Sequence, residues 1–442
     1  MYAIFLLCLL FFVPCISAEE VKRFTDEPIC YENMRPWDAS SQVQVPCKMV
    51  EASKIRGDKV LAVDANSTMQ LSFHCSSDEA TCSKVRATFD TAFKLILNVI
   101  TLQESVTVNA SFVPFCKELG ECNSQYRILG SAGPARTMIM TDDDGRRRSF
   151  PQALLKQQKL NRHPVYSKFD ITAAFNADAN FWLPTDGRQI TSSRSDLLFV
   201  IVHELIHGLG LTSSWADYIN DVPQVLTPNI LVSNTKNSLV FGGFFENAFD
   251  RYLVEYPSMR PISQITDELN QSFGGPGAPF VSEAQFVSTF AVSSQYSAGV
   301  RLFNLSTTPQ SLAFLPKNTS TSADPIILET SLKPYAQGSS ISHFDYKTYT
   351  NTADFLMRYM EDPGTTLEAT IKKGGNYAGG PIGPHLTSIL QTLGYEINPN
   401  PRPISEILPA SNPTNSSATR PTLSYYAMAL MTFTLFLRNC EV

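Results

Sequence analysis

The stretch that most constrains this 442-residue chain is residues 195–210, SDLLFVIVHELIHGLG. From Leu197 to Ile206 it is apolar on nearly every helical face, which predicts a helix buried on all sides, ending near Leu209. Ser195 and Asp196 provide an N-cap and a first-turn acid; Gly208 and Gly210 provide the stop. Into this helix the chain sets His203, Glu204 and His207. Burying such groups without partners is costly, and a cation supplies the partner. Residues four apart project from one face, so His203 and His207 can hold one Zn2+. Glu204, one step from His203, is badly placed as a third ligand but well placed as a base toward water. With only six histidines in the chain, chance gives this His-Glu-x-x-His pattern in roughly half a per cent of such sequences.

A catalytic zinc needs a third protein ligand. The compact spacing fails, because Ser213 stands six residues after His207. Glu246 and Asp250 in GGFFENAFDRYL, Asp221, and the histidines His74, His163, His343 and His385 are the remaining candidates. Of these, His74 adjoins Cys75, and His385 opens an amphipathic helix over residues 386–393, near its cap.

HELIHGLG, followed far downstream by SHFD at residues 342–345 and by Leu356-Met357, resembles the leishmanolysin-type zincins and related secreted bacterial metallopeptidases. In that group a glycine follows the second histidine near the helix end, here Gly210. An insertion then separates the helix from a third histidine in a Ser-His-Trp/Phe context, and a methionine turn follows in a Leu-Met context. The resemblance implies His203, His207 and His343 as zinc ligands, Glu204 as general base and Met357 as the turn methionine. It extends in short islands, ASFVPF and LGSAGP before the helix and IGPHLTSILQTLGY after it. It also implies a zincin-like catalytic domain.

The ends of the chain bear on compartment. Residues 1–18 read as a secretory signal peptide, with an apolar run and Ser17-Ala18 before Glu19-Glu20. Near the C-terminus, a 13-residue apolar run from Tyr425 to Leu437 is too short to span a bilayer as a helix. Small residues and a spacer precede it, the pattern of a GPI-anchor signal over 416–442 with Asn415, Ser416 or Ser417 as the attachment site. Between these ends lie Cys30, Cys47, Cys75, Cys82, Cys116 and Cys122, an even set that predicts three disulfides. Short separations favour Cys75–Cys82 and Cys116–Cys122, leaving Cys30–Cys47. Sequons at Asn66, Asn109, Asn270, Asn304 and Asn318 fit a glycosylated surface protein; one at Asn415 overlaps the anchor site.

The pattern of elements predicts an α+β fold with a mixed sheet around the buried helix. A helical period covers 84–100, and Val106, Val108, Ala110 and Phe112 alternate as in a half-buried strand. Strands are expected near Thr137–Met140 and over 169–183, the latter a candidate edge for an extended peptide, and a short helix begins at Pro151. Residues 300–340, rich in Ser, Thr and Pro, read as a surface excursion. The organisation expected is a cysteine-containing N-terminal region over 19–83, open to being a propeptide, a metallopeptidase domain over 84–400, and a Pro/Ser/Thr stalk over 401–424.

A formal net charge of −6 without a basic stripe argues against nucleic-acid binding. The expected activity is that of a secreted, cell-surface-anchored zinc endopeptidase acting on extracellular proteins or peptides. Two alternatives are a zinc hydrolase of non-peptide bonds and a catalytically silent adhesion or structural protein on a peptidase fold. Tyr346 and Tyr349 are candidates for stabilising an oxyanion.

Overall fold

The computed structural model describes residues 27–35, 41–51, 68–122, 128–216, 224–234, 238–317 and 319–408. The expected signal peptide, the anchor signal with Asn415, Ser416 and Ser417, the sequons at Asn66 and Asn318, and Asp221 lie outside these residues. Among the described residues no helix is long and apolar enough to cross a membrane.

The fold is mixed α+β with several sheets. Strand β1 (Met69–Cys75) leads into helix α1 (Glu79–Leu97), whose first turn is capped by the Asp78 carboxylate accepting from Thr81 N–H. Then come β2 (Val106–Val113), β3 (Gly130–Pro134) and β4 (Ile171–Asn176). These four form one sheet in the order β1-β2-β4-β3. The first three run parallel, and β3 is antiparallel to β4 at the edge. On β2 the alternation holds as read: Val106, Val108, Ala110 and Phe112 are buried, with Thr107, Asn109 and Ser111 half-buried between them. Helix α1 packs Phe89 against Phe73, Phe93 and Phe175 of the same core.

Helix α2 (Leu197–Gly208) has every residue buried, against α1, β3 and β4. Each fully buried Leu, Ile, Val or Phe is worth roughly 1.5–3 kcal/mol, so packing rather than propensity holds this helix. Gly208 explains how closely the helix approaches the sheet: a Cβ there would lie 2.5 Å from Ile171 Cγ2. Gly210 has φ +117°, a conformation that lets the chain leave the helix and that a side chain would strain.

A second, seven-stranded sheet joins distant parts of the chain. It runs 229–234, 239–247, 147–151, 136–141, 29–33 and 42–45 in order, with 279–280 added to 239–247. The Gly-Gly-Phe-Phe segment lies within the strand Leu239–Asn247. The three disulfides are Cys30–Cys47, Cys75–Cys82 and Cys116–Cys122.

Other boundaries differ from the sequence reading. Residue 83 is no seam, because β1 pairs with β2 and Ile29–Asn33 lies between two strands of the larger sheet. Residues 300–340 are not a surface excursion. Leu312–Phe314 and Ile326–Ile327 pair in a sheet, and Leu328, Glu329 and Thr330 are wholly buried. Their polar groups are satisfied internally: Ser331 Oγ–H donates to Glu329 at 2.5 Å, and Glu329 also accepts from Tyr346 N–H. The packed chain also continues past 400, since Asn98 Oδ1 accepts from Arg402 N–H and Ile407 and Leu408 are buried. After α3 (Pro384–Leu393), the Tyr395 hydroxyl donates to Leu209 O at the end of α2.

Candidate metal centre

Helix α2 holds His203 and His207 on one face, and the loop over 338–345 brings His343 to them. The three Nε2 atoms stand 3.1 Å (203 to 343), 3.1 Å (203 to 207) and 3.2 Å (207 to 343) apart. All three residues are wholly buried.

Each Nδ1 has a backbone carbonyl as its partner: Leu356 O for His203 at 2.8 Å, Leu211 O for His207 at 2.7 Å and Ser339 O for His343 at 3.0 Å. A carbonyl only accepts, so each Nδ1 carries the proton and each Nε2 presents a lone pair. Burial pushes the His203 imidazole down to about 4, against the Leu356 carbonyl, and pushes His207 and His343 well below the usual range. Three neutral lone pairs thus face one point with no proton between them, an arrangement that repels unless a cation sits inside. Nitrogens at 2.0–2.1 Å from a tetrahedral zinc would be about 3.3–3.4 Å apart, so the donor set fits that ion. The carbonyl partners fix tautomer and ring orientation, as the outer shell of a metal site does.

Glu204 is also buried, and its Oε2 accepts from Ala132 N–H of β3 at 2.9 Å. Burial pushes its carboxyl up to about 8, which the Ala132 hydrogen bond opposes. The edge strand thereby orients the carboxylate, a link with no sequence signal because a backbone N–H makes it. The candidate edge over 169–183 is corrected to β3: β4 is paired on both sides, whereas among the described strands β3 has β4 alone as neighbour.

Met357 is fully buried in the turn after His343. Its carbonyl accepts from Phe344 N–H at 2.7 Å, and the preceding carbonyl, Leu356 O, holds His203. Phe199 lies nearly parallel to the His203 ring, 6.4 Å between centroids.

The other candidate ligands are engaged elsewhere. Glu246 binds Arg148, Ser263 and Thr266. Asp250 accepts from Ser214 and from Asn247 N–H. His163 meets the Tyr166 hydroxyl, His74 is exposed, and His385 donates to Asp354. Tyr349, offered above for an oxyanion, has its hydroxyl accepting from Ile327 N–H, and the Tyr346 hydroxyl donates to Asp362. Of the sequons, Asn304 is exposed on helix Tyr296–Ser306. Asn109 is half-buried in mid-strand, and Asn270 bonds the Phe244 backbone through both ends of its carboxamide.

The family described as SPBPB7E8-like has a model that matches residues 16–430, and the chain belongs to that family. It is similar to the uncharacterized protein PB7E8.01 of Schizosaccharomyces pombe (strain 972 / ATCC 24843), 28% identical over 350 residues, 73% of this chain and 60% of the relative. The chain thus spans about three fifths of the length of that curated relative. No solved structure matches.

Proposed function

We propose that the chain is a secreted zinc endopeptidase of zincin-like fold, similar to the leishmanolysin-type enzymes and held at the cell surface by a GPI anchor. The observation that carries this reading is the convergence of the His203, His207 and His343 Nε2 lone pairs beside Glu204. When bound there, zinc supplies Lewis acidity toward water and toward the scissile carbonyl.

The chain's own groups do the rest. Glu204 takes the proton from the attacking water and returns it to the leaving amine. Ala132 N–H holds the carboxylate in place from the strand above. As the edge strand beside Glu204, β3 is the element against which an extended peptide would pair next to the three histidines. The buried, neutral imidazoles keep competing protons off the ligand nitrogens.

The test is casein cleavage and zinc content of the secreted protein, wild type against Glu204→Gln. The expected result is equal zinc and an activity loss of about 10²–10⁴-fold in the variant. Zinc without cleavage in wild type would favour hydrolysis of another bond. Neither zinc nor cleavage would favour the silent adhesion protein.

A further inference from the structure

Resting on the zinc reading above, we infer that Arg358 is a positioning residue for the metal centre: its guanidinium locks the turn whose carbonyls hold His203 and the loop of His343.

The turn Phe355–Arg358 is wholly buried. It offers two consecutive carbonyls to the centre: Leu356 O accepts the His203 Nδ1–H, and Met357 O accepts the N–H of Phe344, the residue after His343. Arg358 itself bridges in parallel to Phe344. The direction of those carbonyls therefore sets where two of the three imidazoles point.

Arg358 clamps this turn from three sides. Its Nε–H donates to Phe355 O at 3.1 Å, across the turn itself. Its Nη1 donates to Thr350 Oγ1 at 2.8 Å, at the end of the short helix after His343, and its Nη2 to Asp362 Oδ2 at 3.2 Å. The guanidinium also stacks over Tyr346, 4.8 Å from the ring centroid, and the Tyr346 hydroxyl donates to the same Asp362. The Thr350 hydroxyl in turn donates to Tyr346 O at 2.6 Å. A planar fork that reaches three acceptors and stacks on a ring is chemistry a lysine cannot reproduce. Its near-complete burial, at 1% exposure, fits a clamp better than a substrate-binding cation.

Groups that orient metal ligands typically change metal affinity by 10–100-fold when lost. The test is zinc affinity of the whole secreted chain by competition with a chromophoric chelator, for wild type, Arg358→Lys and Arg358→Met, with melting of each metal-free protein measured alongside. The expected result is zinc binding weaker by about 10–100-fold in both variants, with a cobalt visible spectrum altered from wild type. Unchanged zinc affinity with lowered melting would overturn the inference and leave Arg358 a fold brace. Should Arg358→Lys not fold, Thr350→Val removes one acceptor of Arg358 together with the hydroxyl's own bond to Tyr346 O; weaker zinc binding by several-fold is expected, and unchanged binding overturns the inference. Wild type without zinc affinity would instead defeat the proposed function itself.

Discussion

The Nε2 atoms of His203 and His343 stand 3.1 Å apart across 140 residues of sequence. Between them the chain leaves α2, adds the strands 229–234, 239–247 and 279–280 to the second sheet, forms the sheet containing Leu312–Phe314, and returns beside α2.

The close approach of α2 to β4 rests on Gly208. Gly208→Ala places a methyl 2.5 Å from Ile171 Cγ2, so helix or strand must shift. We expect a loss of about 1–3 kcal/mol in urea unfolding and weaker zinc binding, because His207 is the preceding residue. Wild-type stability and metal affinity in this variant would contradict the packing argument.

Arg148 is fully buried between Asp142, Asp144 and Glu246. Arg148→Met removes the cation shared by buried Asp142 and Glu246, which keep only Arg251 and the Ser263 and Thr266 hydroxyls, and should cost about 3 kcal/mol, more than a surface pair. Burial alone would raise the Asp144 carboxyl, but hydrogen bonds and charge from Arg148 overcome it and hold the group well below the usual carboxylate range. A depressed carboxyl contributes its stability above its unfolded value near 4 and loses it as pH falls through the folded value. Denaturation curves should therefore show the wild-type advantage over Asp144→Asn present at pH 6 and shrinking below about pH 4.

His385 gives the opposite slope. Its Nδ1–H donates to Asp354 Oδ2 at 2.7 Å, and this hydrogen bond, outweighing burial, raises its pKa. A raised histidine contributes fully below its unfolded value near 6.5 and loses that contribution as pH rises through the folded value. The stability difference between wild type and His385→Gln should be larger at pH 5.5 than at pH 9. Its size should stay within about 1 kcal/mol, because the pair is partly exposed. A difference independent of pH would show the pair to be uncharged. Asp354 also caps α3 through the N–H groups of His385 and Leu386, so Asp354→Ala should cost a further 0.5–2 kcal/mol or about that range at any pH.

The sequons should not be used equally. Asn304 is exposed, whereas the Asn270 carboxamide is committed to the Phe244 backbone and Ser272 beside it is wholly buried. In protein made through a secretory pathway, peptide mass mapping should find glycan at Asn304 and none at Asn270. Glycan at Asn270 would require this segment to be open while sugar is added.

Much of this arrangement is legible in the sequence where one local rule governs. Helix α2 is readable because its near-continuous apolar run predicts a helix buried on all sides, and all twelve of its residues are buried, His203, Glu204 and His207 among them. The alternation of β2 and the amphipathic helix that begins near His385 are local in the same way. Residues 300–340 misled because Ser and Thr suggest solvent, yet their hydroxyls here bond inside the fold. The third histidine is named only through the resemblance carried by SHFD and Leu356-Met357; spacing alone leaves Glu246 and Asp250 open, and their carboxylates are bonded to Arg148 and Ser214. The backbone groups that orient the site, Ala132 N–H and Leu356 O, are invisible to any reading of side chains.

The central claim is that His203, His207 and His343 hold one metal ion together. The most direct measurement is zinc content, by mass spectrometry under non-denaturing conditions, of the secreted wild type and of His343→Ala. One zinc per wild-type chain and loss of it in His343→Ala is the result expected. Wild type free of zinc after growth with the metal, or full retention in His343→Ala, would contradict the claim.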